Sequence, residues 1–356
     1  MVDLILKDIN NENPKIRYGC LCCIAEFASN LKDEFTELYA EQVVPALCSL
    51  VTNEKILRCK LQGYDSLESF IDDSSKEVIT TYLQQFLDSL FLNLLKPSKE
   101  SPQSLKEAIL DCLGELIDKS KRNFQPYSER SFNLMAEYFG NSLKNNDFSD
   151  LNLFGLYIEN LTKIGEDCPT LLEKATKDIA TALIAFQNNI KNFKGEVSQY
   201  LVASWERILP YVKKDCIDLI PKIIESIVTV IEKPPEMSIA NNPEEVIDMQ
   251  EFLKDAETKG VELEKKTISI VTSETEEYSI FIDLLNMILS ELKEHSSSCI
   301  AAVEKRAISI LHYPNIEIRG KASTIFPKIV DIVYVSGDKE HLSQVIKNYL
   351  KHKYKI

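Results

Sequence analysis

Apolar residues recur along this chain at the three- and four-residue spacing of an α-helix, with few interruptions. The clearest stripe is Val78, Ile79, Tyr82, Leu83, Phe86, Leu87, Leu90, Phe91, Leu94 and Leu95, closed by Lys96-Pro97. A second, Ile217 through Ile231, is closed by Pro234-Pro235. Each stripe predicts a helix with one wide apolar face that has to be buried against a neighbour. Strand-like alternation occurs in one region only, at Val261-Glu-Leu-Glu264 and Thr267-Ile-Ser-Ile-Val271, and predicts a small hairpin turning through Lys265-Lys266.

The helices come in pairs, and the pairs repeat. A similar stretch recurs as IAEFA at 24–28, LESFI at 67–71, LGELI at 113–117, LTKIG at 161–165, WERIL at 205–209, LNMIL at 285–289 and FPKIV at 326–330. The fourth residue of each serves as an anchor: Phe27, Phe70, Leu116, Ile164, Ile208, Ile288 and Ile329. The steps between anchors are 43, 46, 48, 44, 80 and 41 residues. Five of the six lie near the period of about 40–47 residues of HEAT-type helical repeats, and the sixth is one repeat plus an insertion. Three residues before each anchor stand Ile24, Leu67, Leu113, Leu161, Trp205, Leu285 and Phe326, all large and apolar. Positions three apart share one helix face, so both are expected in the core, and Trp205 reads as packing and not as a contact residue. The expected fold is an all-α, HEAT-repeat α-solenoid over residues 1–356: about seven antiparallel helix pairs in a right-handed superhelix, with one acidic insertion at 232–277 within the sixth repeat. A first helix opens the chain and another without a partner closes it, which predicts a piece of a longer array. The turns inside several pairs carry helix-start signals, as at Asn13-Pro14, Ser101-Pro102 and Pro314-Asn315.

Composition fits this picture. The 356 residues include only 10 Gly, where an average chain would carry about 25. That shortage disfavours sandwiches, barrels, propellers and glycine-rich phosphate loops. The nine cysteines are scattered; Cys20, Cys22 and Cys23 lie inside a helical pattern without a second pair at zinc spacing, so reduced thiols and no metal are expected. No nucleotide-binding, hydrolase or zinc-protease motif occurs, and the four His all follow position 294, so neither an enzyme nor a cofactor is expected. The start carries no basic n-region of a signal peptide, and no apolar run is long enough to predict a membrane span.

The formal net charge is −14, from 41 basic and 55 acidic residues. An acidic chain is a poor fit to nucleic acid, whose phosphates call for Lys and Arg, and a natural complement for basic proteins. The charge is not evenly placed. Residues 232–277 hold 13 acidic and 5 basic residues, a balance of −8. A further part recurs at one repeat position, five residues before the anchor: Asp65, Asp111, Glu159 and Asp283, with Cys22, Ala203 and Thr324 in the other repeats. This position lies about 220° around the helix from the anchor, away from the shared core. Stacked helices lie about 8–10 Å apart and an extended peptide advances about 3.3 Å per residue. Such a row suits Lys or Arg at about every third residue of a bound segment. Glu26, Glu68, Glu115 and Glu206 flank it; the bland alternative is a solvated face. Basic residues also align, ten before the anchor, as Arg17, Lys60, Lys106 and Arg319. They read as a structural ladder pairing with acids of neighbouring turns, with a contact row for an acidic partner as the alternative.

Asn13-Pro-Lys-Ile-Arg-Tyr-Gly19 followed by Ile24-Ala-Glu-Phe-Ala28 resembles the second helix of a HEAT repeat in the importin-β (karyopherin-β) family. Leu292-Lys-Glu294, Ile318-Arg-Gly-Lys-Ala322 and the insertion before Glu276-Glu277 are similar to the central repeats of its karyopherin β-3 branch. The resemblance implies a nuclear transport receptor shuttling between cytoplasm and nucleus. It would bind basic nuclear-localisation segments on the concave second-helix surface and FG nucleoporins on the convex side, and release cargo to Ran-GTP. On that reading Asp65, Glu68, Asp111, Glu115, Glu159, Glu206 and Asp283 are candidate cargo-binding residues. Glu244, Glu245, Asp248, Glu251, Asp255 and Glu257 of the insertion are candidates for Ran-GTP or basic cargo, with a self-repelling linker as the alternative. A static HEAT-repeat scaffold of the phosphatase-scaffold type is the competing function.

Overall fold

A computed structural model describes residues 1–95, 102–145, 148–190, 197–232, 234–235, 237–240, 267–270 and 272–353. Contacts divide them into two compact units, 1–183 with 203–211, and 184–202 with 212–356.

In the first unit helices alternate between an outer and an inner layer. The outer, first helices are α1 (Val2–Asp8), α3 (Asp33–Asn53), α5 (Lys76–Leu94) and α7 (Gln125–Asn145); the inner, second helices are α2 (Pro14–Leu31), α4 (Leu57–Asp72), α6 (Gln103–Ser120) and α8 (Leu151–Asp167). Second helices stack on one another, α2 on α4, α4 on α6 and α6 on α8, and α3 stacks on α5. The expected core positions are where the repeat placed them: Phe70, Leu116 and Ile164, with Leu67, Leu113 and Leu161, have no exposed surface. Phe27 is the exception; it is half-buried, and its ring packs 5.6 Å from that of Phe35. α9 (Pro169–Asn189) and α10 (Val197–Asp215) contribute to both units, and Trp205 and Ile208 on α10 are fully buried.

Local signals set the helix ends. Asn13 accepts from Lys15 N at 3.0 Å and Pro14 takes the first helical position, where a missing N–H costs nothing. Asn315 accepts from the N–H groups of Glu317 and Ile318 at 2.8 and 3.2 Å. Three second helices end on lysines at positive φ, Lys32 at 47°, Lys121 at 46° and Lys293 at 43°, each five residues after an anchor. Glycine fits that backbone better, but a cation suits the negative end of the helix dipole.

In the second unit, α11 (Ile220–Val230) packs against α12 (Thr272–Leu292), which carries the anchor Ile288. After α13 (Ile300–Ile310), the seventh second helix is broken into α14 (Ile316–Ser323) and α15 (Ile325–Ser336). Pro327 explains the break: it has no N–H to offer the carbonyl of Ser323, while Thr324 turns back to donate its hydroxyl to Lys321 O. α16 (Lys339–Lys353) follows. One antiparallel two-stranded sheet joins β1 (Met237–Ala240) to β2 (Thr267–Ile270). The strand at Thr267 was expected; its partner was not. It pairs with Met237–Ala240, and the segment expected to turn through Lys265-Lys266 lies outside the described residues. Val261–Glu264 lies outside the described residues.

The inner helices of the first unit are also joined by polar contacts. Ser66 Oγ donates to Leu21 O at 2.9 Å, Cys112 Sγ to Tyr64 O at 3.3 Å and Asn160 Nδ2 to Leu110 O at 3.1 Å. In each, a side chain four before one anchor reaches a carbonyl six before the preceding anchor. Gly114 lets α8 approach α6 this closely, since a Cβ there would lie 3.2 Å from Asn160 Oδ1.

Candidate functional site

The second helices α4, α6 and α8 carry the carboxylates that the repeat brought into register. Asp65 is exposed on α4 and accepts from Gln62 Nε2 at 2.6 Å. Asp111 and Glu115 on α6, Glu159 on α8 and Glu68 on α4 are half-buried. The seam between α4 and α6 is the electrostatic focus. Burial first, and then the charges of Asp111, Glu115, Asp65 and Asp72, push the Glu68 carboxyl up to about 7. Burial and Asp72 likewise raise Glu115, with Lys163 opposing them. Carboxylates this close together create a demand for positive charge nearby.

Along one edge of the row that demand is met internally. Lys119 Nζ lies 3.0 Å from Asp72 Oδ1, Lys163 Nζ 2.7 Å from Asp118 Oδ2, and Arg207 Nε 2.9 Å from Glu166 Oε2. The acids stand two residues after successive anchors. Lys163 and Arg207 each stand one residue before an anchor. This ion-pair ladder was missed in the sequence, although the acid positions recur in three repeats. Lys163 also lies 3.8 Å from Glu159 Oε1, so it partly offsets that member of the row. The carboxylates of Asp65, Asp111, Glu115 and Asp72 all act on Glu68, so the crowding centres on the α4–α6 seam.

The other candidates separate from this cluster. Glu206 is exposed on α10, beside the uncharged row position Ala203. Asp283 belongs to the second unit and binds Lys321 Nζ at 2.6 Å, so its charge is already answered within the chain. Glu244, Glu245, Asp248, Glu251, Asp255 and Glu257 lie outside the described residues.

The basic row ten before the anchor is structural where its partners are seen. Arg17 meets Glu54 through Nε at 2.7 Å and Nη2 at 3.0 Å, and its Nη1 donates to Asn11 O and Glu12 O. Glu54 also accepts from the backbone N–H groups of Lys55 and Ile56. Burial works against its charge, but these donors prevail and hold it below its ordinary value. Arg319 repeats the motif by donating to Tyr313 O and Pro314 O. None of the nine cysteines forms a disulfide, and among the described residues no group of three His, Cys, Asp or Glu side chains is placed to hold a metal. No helix among those residues is long and apolar enough to cross a membrane.

Comparison with known proteins agrees with the repeat. Residues 1–163 match the family model of importin subunit beta-1-like TPR repeats. Importin subunit beta-3 of Saccharomyces cerevisiae is 23% identical over 349 residues, covering 97% of this chain and 31% of the relative. The chain thus spans about a third of that relative's length. Among solved structures, Kap121p bound to RanGTP aligns with a TM-score of 0.70 at 20% identity, over 99% of this chain and 33% of the other. Kap121p bound to Pho4p aligns with a TM-score of 0.65 at 18% identity, over 99% and 32%. The importin-β resemblance read from the sequence is borne out, and the fold is that of these helical-repeat solenoids.

Proposed function

We propose that this chain is a cargo-binding segment of an importin-β-type nuclear transport receptor. It takes a Lys- or Arg-rich stretch of extended polypeptide along α4, α6 and α8. The observation that carries the reading is the carboxylate row Asp65, Asp111 and Glu159, thickened by Glu68 and Glu115 into a seam where like charges already strain one another. An incoming ammonium or guanidinium relieves that repulsion, and the attraction is strongest where the carboxylates are partly shielded from water. With successive helices about 8–10 Å apart, consecutive carboxylates meet side chains about three residues apart on an extended ligand. Glu206 extends the acidic surface toward the next repeat.

The solved neighbours support the wider cycle, since Kap121p has been captured with RanGTP and with Pho4p. By this reading the full-length protein binds basic cargo in the cytoplasm, crosses the pore by weak contacts with FG nucleoporins, and surrenders cargo to Ran-GTP in the nucleus. The acidic insertion is a contact for Ran-GTP or cargo through Glu244, Glu245, Asp248, Glu251, Asp255 and Glu257. A pulldown from cell extract with the full-length protein, with and without GTP-locked Ran, tests the function. Basic proteins captured without Ran and lost with it are expected. The same proteins retained in both would point to a static scaffold. Deleting residues 236–272 tests the insertion, and unaltered binding of both cargo and Ran-GTP would make it a linker.

A further inference from the structure

The three carboxylates of the row share a feature that charge alone does not explain. Each is followed directly in sequence by the side chain that ties its helix to the preceding one. Ser66 follows Asp65, Cys112 follows Asp111 and Asn160 follows Glu159. The acceptors are placed as regularly as the donors. Tyr64 O, which takes the Cys112 thiol, belongs to the peptide group that carries the Asp65 nitrogen. Leu110 O, which takes the Asn160 amide, belongs to the peptide group that carries the Asp111 nitrogen. Leu21 O, which takes the Ser66 hydroxyl, precedes Cys22, the row position of the first repeat. Ser66 has a single hydroxyl proton and a closer acceptor in its own helix, Gln62 O at 2.7 Å, so the links that join acid to acid are two: Cys112 between the Asp65 and Asp111 positions, and Asn160 between the Asp111 and Glu159 positions.

We propose that Cys112 and Asn160 are positioning residues that hold the row carboxylates at a fixed repeat distance, so that the surface selects basic segments by the spacing of their charges and not by charge alone. The proposal rests on the cargo reading above and adds its specificity. Both side chains are buried, so neither can touch a ligand itself. The buried bonds are shielded from competing water and fix one helix relative to the next. Asn160 Nδ2 is anchored a second time, to Leu156 O at 2.9 Å within its own helix, so the amide has little freedom to follow a sliding neighbour.

The pattern changes where the row changes. In the fifth repeat the row residue is the uncharged Ala203, and the following Ser204 takes part in a 3.4 Å contact with the Thr162 hydroxyl in place of a backbone carbonyl. In the second unit Leu284 and Ile325 follow the row positions Asp283 and Thr324, and neither has a donor to give. There Asp283 is held by Lys321. Backbone-directed rungs thus accompany the three acids proposed to act as a set. Preorganisation of this kind lowers the ordering cost of binding a ligand whose charges match the spacing, and does little for one whose charges do not.

The experiment compares two blocked peptides of identical composition, one with lysine at every third position and one with the same lysines in a contiguous block. Their affinities are measured on the whole chain. The unmodified chain is expected to prefer the spaced peptide. Asn160→Ala and Cys112→Ala, which each remove one donor, are expected to cut that preference about threefold while leaving affinity for the block peptide nearly unchanged. Cys112→Ser, which restores a donor, is expected to recover it. A merely structural role would lower thermal stability without moving the ratio. Should Asn160→Ala fold poorly, Cys112→Ala provides an independent removal, and Ser66→Ala, whose contact leads away from the acids to the Cys22 position, is expected to leave the preference unchanged. Full retention of the preference in a folded Cys112→Ala or Asn160→Ala protein would overturn the proposal. Binding of both peptides with equal affinity by the unmodified chain would also overturn it, leaving the cargo reading standing. Binding of neither peptide would remove the cargo reading and this inference with it.

Discussion

Replacing Glu68 by Gln should make the fold more stable and its proposed function weaker. Gln keeps the shape and removes the charge. In the folded chain the Glu68 carboxyl is raised from 4.5 to about 7, by burial and then by Asp111, Glu115, Asp65 and Asp72. A carboxyl raised on folding binds its proton more tightly in the folded state. Stability therefore falls as pH rises from about 4.5 to about 7, and the loss is complete above that range. A shift of this size corresponds to about 3 kcal/mol. Water reaching the half-exposed side chain reduces the usable figure to about 1–2 kcal/mol. Glu68→Gln should recover that amount at about pH 8 and nothing at about pH 4, where both side chains are neutral. Thermal or urea melts across that range read the difference directly, as a gap of a few degrees that opens with rising pH. The same variant should bind a Lys-rich peptide less tightly. A lower melting temperature for Glu68→Gln at pH 8, or a gap that persists at pH 4, would refute the electrostatic account of the seam.

Three further outcomes follow from the packing and are read from urea melts. Arg17→Met should destabilise the first unit by about 3 kcal/mol by leaving the Glu54 carboxylate buried without its partner; a loss below about 1 kcal/mol would mean water replaces the guanidinium. Lys32→Gly and Lys121→Gly should each stabilise by about 0.5–1 kcal/mol, because glycine adopts their positive φ without strain, whereas Lys121→Val should destabilise; equal behaviour of Gly and Val would contradict this. Gly165→Ala should cost about 2–3 kcal/mol, since its Cβ would fall 2.3 Å from Leu172 Cγ; a neutral result would show that α9 yields easily.

The repeat was legible because its anchors and their partners three residues earlier are simple apolar signals at a fixed helical phase. Trp205 shows the strength of that argument: register placed it in the core, and it has no exposed surface. The carboxylate row was legible for the same reason, up to the limit of what one-dimensional phase contains. Phase cannot show that Lys321 answers Asp283, because that pair joins residues 38 apart on different helices. The hidden rungs have a related cause. Ser66, Cys112 and Asn160 are three different residue types at one register position, and only their shared target, a backbone carbonyl of the preceding helix, makes them alike. The pairing of β2 with Met237–Ala240 was not foreseen because alternation marks a strand without saying what it pairs with, and Met237–Ala240 is too short to carry a distinct pattern.

The measurement that bears most directly on the central claim is the salt dependence of Lys-rich peptide binding, taken on the whole chain and on the Asp65→Ala, Asp111→Ala, Glu159→Ala triple variant. If the row holds the ligand, the triple variant binds more weakly, and its affinity falls less steeply as salt is added, because fewer charge pairs remain to be screened. Unchanged affinity with an unchanged salt slope would contradict the claim.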